Sequence, residues 1–317
     1  MSFPTPHEQL DLPVFDFPAA GETVVSLPEA DSVTWRVAVV SYDSDEQWEK
    51  AFARFAEAVD LTKVRSLVVG SWSEPFESGP DEVIGALVGA SGQLTALRSL
   101  FIGDIESEEC EISWITQGEV SPLLDSFPGL REFRVRGGQS LGFPAVRHDG
   151  LRSLTIETGG LGADVVRGVG ESHLPALEHL DLWLGVSEYG GNAELADLAP
   201  FLSGASFPKL RYLALRNSEM QDEIAAAMAG APVVANLEVL DLSMGTLGDV
   251  GAEALLGGQP LTHLKKLDLR WNFLTEPMRE RLVSVIGAAG VEVDVSETEE
   301  AEDDGDGNEW RYTEVSE

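Results

Sequence analysis

The chain has 317 residues, of which 43% are hydrophobic, and it carries a formal net charge of −34 at pH 7. A negative field of this size repels nucleic acids and anionic membrane surfaces, so we expect neither as a partner. No apolar run approaches the ~18 residues of a membrane helix, no export signal is recognisable at residues 1–8, and the single cysteine excludes a disulfide framework, which together predict a cytoplasmic protein.

The first 33 residues are rich in proline and carry two short apolar runs, Val14–Phe17 and Thr23–Val25. We expect residues 1–33 to form a β-rich N-terminal cap, because the end of a stack of repeats exposes apolar core that must be covered. The segment Trp35–Ser41 predicts one further strand before the first regular motif, and Val291–Val295 predicts another after the last.

One motif, L-x-x-L-x-L with apolar substitutes, recurs eight times. The copies begin at Val64, Leu97, Leu130, Leu151, Leu177, Leu210, Leu237 and Leu264. The last copy continues through Asn272 to Leu274 and completes the leucine-rich repeat pattern L-x-x-L-x-L-x-x-N-x-L. Residues 34–296 are therefore predicted to form an α/β solenoid of about 9–10 repeats, with a curved parallel sheet on the concave face and helices on the convex face.

Three of the longer repeats have extra residues directly after the strand, in Ser71–Gly79, Asp104–Gly118 and Gly185–Asn192. We expect these loops to emerge on one edge of the horseshoe. Loops on a rigid scaffold commonly determine specificity. The aromatic side chains that they carry are Trp72, Phe76, Trp114 and Tyr189.

Strand alternation directs the motif's apolar residues into the core and the residues between them onto the concave face. On the central repeats these outward positions combine aromatic residues with arginine. They are Arg134, Arg136, Trp183, Tyr212 and Arg216. Trp, Tyr and Arg dominate binding hot spots. The alternative for each arginine is a structural pair with an acid on an adjacent strand. The candidate acids are Glu132, Glu157, Asp181 and Asp241.

These positions predict a non-enzymatic scaffold that binds a protein or peptide on the concave face and the loop edge, through Trp72, Trp114, Arg134, Arg136, Trp183, Tyr189, Tyr212 and Arg216. The alternative is a binder of a small anionic metabolite or nucleotide at the same arginines. We expect no cofactor, metal or catalytic residue, because the five histidines lack metal-ligand spacing. Cys110 lies among four acids, which are expected to raise the pKa of its thiol. The glycines of Gly159–Gly162 form no phosphate-loop motif and are interpreted as a tight turn.

The last segment, residues 297–317, contains ten acids against one arginine, and its composition predicts a disordered acidic tail. The run Asp304–Glu309 resembles the start of a calcium loop but has Glu309 where that loop requires glycine, so we interpret it as a solvated run. Trp310–Tyr312 is unusual for a solvating tail. One hypothesis is that it docks on the concave face as a self-inhibitory plug.

The repeats at residues 60–296 resemble ribonuclease-inhibitor-type leucine-rich repeats, with one departure. Of eight positions for the inward Asn or Cys, only Asn272 conforms, and Trp72 occupies the first. Stretches such as His179–Gly185 and Glu111–Ile115 resemble a bacterial leucine-rich repeat family without assigned function, over nearly the whole chain. That family is encoded beside radical-SAM-like and hydrolase-like proteins. The resemblance therefore implies a helper role in a modification pathway and supplies no catalytic residues.

Overall fold

The structure is a computed structural model that describes residues 12–22, 26–42, 46–303 and 309–316. Its main feature is one open parallel sheet of eleven strands that follow each other in chain order. The strands are β1 (Val14–Asp16), β2 (Thr34–Val37), β3 (Ser66–Val69), β4 (Ser99–Ile102), β5 (Glu132–Arg136), β6 (Ser153–Glu157), β7 (His179–Gly185), β8 (Tyr212–Ser218), β9 (Val239–Asp241), β10 (Lys266–Asp268) and β11 (Glu292–Asp294). A separate antiparallel pair is formed by β12 (Glu302–Asp303) and β13 (Glu309–Trp310).

Helical segments connect most of the parallel strands, because each strand must return to the same end of the sheet. The α-helices are α1 (Trp48–Ala58), α2 (Asp81–Gly89), α3 (Ser121–Ser126), α4 (Ala163–Glu171), α5 (Ala199–Ser203), α6 (Gln221–Met228), α7 (Asp249–Gly257) and α8 (Glu276–Val285). Short 3₁₀ turns lie at Leu61–Lys63, Ile112–Trp114, Ser187–Tyr189, Leu195–Leu198, Pro232–Asn236 and Gly287–Ala289.

The central residue of each motif pairs directly with its counterpart on the next strand. This ladder runs through Leu67, Leu100, Phe133, Leu154, Leu180, Leu213, Leu240 and Leu267. All eight are at most 1% exposed and belong to one continuous core that includes apolar residues of the helices. The predicted leucine-rich repeat solenoid is confirmed, and each of the eight motifs coincides with one strand from β3 to β10.

The strands predicted outside the eight motifs are also present. Val14–Phe17 contains β1, which pairs in parallel with β2, and the run Val291–Val295 contains β11. The first strand of the main sheet is thus supplied by the proline-rich N-terminal segment. The run Thr23–Val25 lies outside the described residues.

The expectation of a disordered tail is wrong for residues 309–316. These residues lie against the solenoid, where Thr313 is 3% and Val315 is 5% exposed. Burial of these side chains, which the acidic composition of the tail did not reveal, holds the segment in place. Most of the calcium-loop-like run, Asp304–Asn308, lies outside the described residues.

Several side chains compensate for the missing ladder of inward asparagines. Asn272 donates to the carbonyl oxygen of Leu269 at 2.8 Å, as the repeat pattern expects. Elsewhere Gln117 donates to Arg136 O at 2.7 Å, Thr158 to Trp183 O at 3.0 Å and Gln221 to Leu215 O at 2.8 Å. Buried carbonyl groups at the strand ends are thereby satisfied by different residues in different repeats.

Candidate functional site

The concave face carries two clusters in which arginine side chains pair with acids of a neighbouring strand. In the first, Arg134 and Arg136 of β5 both contact Glu157 of β6, the second at 3.3 Å. The Arg134 guanidinium also lies 4.5 Å from the centre of the Phe101 ring on β4. Both arginine side chains remain 16% exposed, whereas the Glu157 side chain is 2% exposed. Part of each arginine side chain therefore stays accessible from solvent.

The second cluster surrounds Arg216 of β8. Its guanidinium binds both carboxylate oxygens of Asp181, at 2.6 and 3.0 Å, and lies 3.6 Å from Asp241. It also lies 5.0 Å from the centre of the Trp183 ring. Burial lowers the pKa of the Arg216 guanidinium, but Asp181 and Asp241 outweigh this effect and hold that pKa well above its usual range. Arg216 is thus a permanently charged, internally neutralised group.

An aromatic pair connects the two clusters. The rings of His179 and Tyr212 stack with centroids 3.9 Å apart, and the Tyr212 hydroxyl donates to Asp241 at 2.9 Å. Burial, assisted by the charge of Arg216, lowers the pKa of His179 to about 4, so this imidazole is neutral at pH 7. Next to it a groove of about 410 Å³ opens on the concave face. Its lining includes Ser99, Phe101, Glu132, Arg134, Thr155 and His179.

The long loops meet at one edge of the solenoid, as predicted. The Phe76 and Trp114 rings lie 5.7 Å apart, and the Trp114 and Tyr189 rings lie 5.8 Å apart in an edge-to-face arrangement. We call Phe76, Trp114 and Tyr189 the aromatic edge. A neighbouring cavity of about 300 Å³ is lined in part by Tyr42 and Cys110. Burial raises the pKa of the Cys110 thiol, and Glu111 and Glu109 add to this rise in the expected direction.

Two of the predicted aromatic site residues are not exposed. Trp72 is 6% exposed, belongs to the main core and donates its indole N–H to Ser78 O at 2.8 Å. It occupies the inward position of its repeat, so the structure removes it from the candidate contact residues. Trp183 was expected to be an exposed concave tryptophan but is 9% exposed, because it packs against Val315 and Ile112.

The segment that covers Trp183 comes from the end of the chain. We call residues 311–316 the strap. Arg311 pairs with Asp222 of α6 at 3.3 Å, and the Tyr312 ring contacts Phe273 with centroids 5.5 Å apart. The docked part is therefore longer than the predicted plug Trp310–Tyr312, and Val315 is the residue that meets Trp183.

Comparisons with known proteins agree with this geometry. A family model described as "Leucine Rich repeat" matches residues 235–256 and 261–275. A crystal structure of a protein from Bacteroides fragilis is 28% identical and superposes with a TM-score of 0.81, over 90% of this chain and 78% of that one. The chain is a leucine-rich repeat protein.

An internalin from Listeria monocytogenes is 13% identical to this leucine-rich repeat protein over 75% of this chain and 68% of that chain, with a TM-score of 0.34. No curated protein matches the sequence. No group of three or more His, Cys, Asp or Glu side chains among the described residues could hold a metal ion. In the same part of the chain, no helix is long and apolar enough to cross a membrane.

Sequence reasoning missed three residues of the leucine-rich repeat protein's site. Phe101 and His179 occupy outward strand positions, but Phe and His are less characteristic of binding hot spots than Trp, Tyr and Arg. The third residue is Asn217, which contacts the strap and is indicated less clearly by the sequence than Phe101 and His179 are. It lies seven positions after Leu210, where the backbone φ is +54°, a left-handed conformation that asparagine tolerates better than most residues.

Proposed function

We propose that this leucine-rich repeat protein is a non-enzymatic scaffold that binds a partner protein or peptide along the aromatic edge and the concave face. The fold supports the general role, since leucine-rich repeats form extended concave binding surfaces. The observation that carries the specific proposal is the contact between three aromatic side chains from three different loops. Aromatic residues are enriched in interface cores relative to other protein surfaces.

The aromatic edge is accessible. Phe76 is 49% exposed, and the nearby Tyr42 is 51% exposed. Trp114 and Tyr189 are partly exposed and hold each other in place, so little side-chain entropy is lost when a partner covers them. A rigid, half-exposed aromatic surface of this kind favours a protein or peptide ligand.

The charge pairs argue against the alternative of a small anionic ligand. The guanidinium groups of Arg136 and Arg216 are already bound by Glu157 and Asp181. An anion would have to displace or share these buried carboxylates, at the cost of leaving one of them unpaired. The arginines therefore give the concave face its shape and polarity, and the aromatic edge provides apolar contact area.

The double variant Trp114→Ala with Tyr189→Ala tests this proposal. Quantitative affinity purification from the source cell identifies partners that wild type retains, and their affinity is then measured with purified components. One hot-spot residue contributes about 2 kcal/mol or more to binding, which corresponds to a ~30-fold change in affinity. Because two such contributions are not additive, the double variant is expected to bind its partner at least ~30-fold more weakly than wild type. Val250→Ala, at an exposed apolar residue of α7, is the matched control. Equal affinity of the double variant, with an unchanged melting temperature, would contradict the proposal.

A further inference from the structure

The strap is an irregular segment with a bend at Glu314, and it lies in a cleft that includes Ser113, Asn217 and Met244. Its centre is Val315, whose main-chain groups are both bound by the Asn217 carboxamide. Nδ2 of Asn217 donates to Val315 O at 2.6 Å, and Oδ1 accepts from Val315 N at 3.0 Å. A carboxamide that hydrogen-bonds to both the N–H and the C=O group of one residue recognises the backbone of that residue, whatever side chain the residue carries. Asn217 is fully buried and also donates to Thr158 O at 3.4 Å, which fixes the orientation of the amide.

Further main-chain contacts continue on both sides of Val315. The amide of Glu314 donates to the carbonyl oxygen of Met244 at 2.9 Å, and the Ser113 hydroxyl donates to the carbonyl oxygen of Ser316. Three consecutive strap residues thus use main-chain groups to contact the solenoid. In peptide recognition such bonds supply affinity, while side-chain pockets supply specificity.

The specificity pocket receives the Val315 side chain. It is lined by Ile112, Trp183 and, less deeply buried, Met244, and these residues form an apolar cluster separate from the main core. Trp183 is itself braced by the Arg216 guanidinium 5.0 Å from its ring. A branched aliphatic side chain fills this pocket, whereas a charged one would be desolvated there without a partner.

One glycine makes the close approach of the strap possible. A Cβ atom at Gly159 would lie 2.5 Å from Ser316 O and would also collide with the Ser113 hydroxyl. The missing side chain therefore leaves the space that the strap backbone occupies. This gives Gly159 a role beyond the tight turn that its sequence suggested.

We propose that this cleft is a peptide-binding site for segments of the pattern Thr-Glu-Val-Ser, and that the strap is its intramolecular occupant. The external ligand is a partner segment with a branched aliphatic residue at the Val315 position and small polar or acidic neighbours. This inference rests on the proposed scaffold function and adds that the strap regulates the binding of a partner peptide. A tethered occupant competes at an effective concentration in the millimolar range. A partner peptide therefore binds fully only when the strap is released.

The test uses the full chain and a fluorescein-labelled peptide with the sequence of residues 311–316, followed by fluorescence anisotropy. Val315→Asp in the chain expels the strap from the pocket, so this variant should bind the peptide at least about tenfold more tightly than wild type. Adding Asn217→Gly to it removes the carboxamide while keeping a residue suited to positive φ, and should weaken peptide binding about 30-fold. The same peptide with Val315→Asp should not bind.

Three results would overturn the inference. The first is equal peptide affinity in wild type and in Val315→Asp, with both proteins folded by thermal melting. The second is absence of amide-exchange protection at Val315 in wild type, or the same protection in Asn217→Gly. A wild-type dimer that Val315→Asp converts into a monomer, measured by light scattering, would place the strap in a second copy and also refute an intramolecular occupant. If the peptide does not bind to the Val315→Asp chain, while the Trp114→Ala and Tyr189→Ala double variant still loses its partner, the scaffold proposal stands and only this inference is wrong.

Discussion

Arg216 and Asp181 form a two-point ion pair on neighbouring strands, with nitrogen–oxygen distances of 2.6 and 3.0 Å and side chains that are 10% and 3% exposed. Burial raises the pKa of Asp181, and the charge of Arg216 opposes this rise. The arginine also neutralises Asp241, which lies 3.6 Å away on the next strand. One cation therefore compensates two buried carboxylates in the middle of the sheet.

Replacing this arginine should destabilise the solenoid strongly. Arg216→Ala leaves Asp181 and Asp241 buried without their cation, which costs about 3–5 kcal/mol. The urea midpoint of unfolding is expected to fall accordingly. Arg211→Ala is the matched control on the same repeat, because Arg211 is exposed and donates to main-chain carbonyls only. If the free energies of unfolding of the two variants differ by less than about 1 kcal/mol, the ion pair does not make the expected contribution to stability.

His179 should make stability depend on pH. Its pKa is about 4 in the folded chain, below the ordinary value of 6.5, because burial and then Arg216 disfavour the charged form. Above pH 6.5 both states are neutral. As pH falls from 6.5 towards 4, the unfolded chain takes up a proton that the folded chain does not, so the free energy of unfolding decreases. His179→Phe keeps an aromatic ring beside Tyr212 and should remove this part of the decrease. Denaturant titrations of both proteins between pH 7 and pH 5 provide the measurement.

The repeats could be predicted from sequence because their signal is local. Each L-x-x-L-x-L copy states which residues face the core, and Leu67 through Leu267 pair as that pattern requires. The same logic brought Trp114 and Tyr189 to one edge. The repeat motif also predicts that Trp72 is buried, because this residue stands at the inward position that Asn272 occupies in the last repeat. Its burial follows from the motif, although its loop location suggested exposure.

The strap could not be predicted in the same way. Asn217 and Val315 are 98 residues apart, and no periodicity connects them. The acidic composition of residues 297–317 indicated disorder, while the apolar contacts of the strap come from two residues, Val315 and Tyr312. Strand alternation placed Trp183 on the concave face, but it contains no information about a distant segment that covers this face. Contacts of this kind depend on tertiary structure alone.

Docking of the strap should weaken as pH rises. Burial raises the pKa of Glu314 to about 7, from an ordinary value of 4.5, and the charges of Glu297 and Glu299 add to the rise. A pKa that is higher in the docked state means that docking favours the protonated acid. The contribution of Glu314 to docking is therefore fully present below pH 4.5 and is lost as pH increases through 7.

Protection factors of the strap amides, measured by hydrogen exchange and corrected for intrinsic rates, should decrease between pH 5 and pH 8. Glu314→Gln retains the size of the side chain and cannot ionise, so its protection factors should stay constant over this range. A wild-type profile that parallels the glutamine variant would show that Glu314 does not control docking.

Gly159→Ala separates the cleft from the rest of the solenoid. The added methyl group would collide with the Ser113 hydroxyl and lie 2.5 Å from Ser316 O, which that hydroxyl binds, so the strap has to move and its amides should exchange at least about tenfold faster. The backbone of Gly159 has no positive φ, so alanine is conformationally acceptable there and the effect is steric. Gly162→Ala is a control in the same loop, because a Cβ at Gly162 meets no atom within 4 Å. Faster exchange in the first variant alone would tie the strap to this glycine. Equal exchange in both would mean that the close approach of Ser316 does not occur in solution.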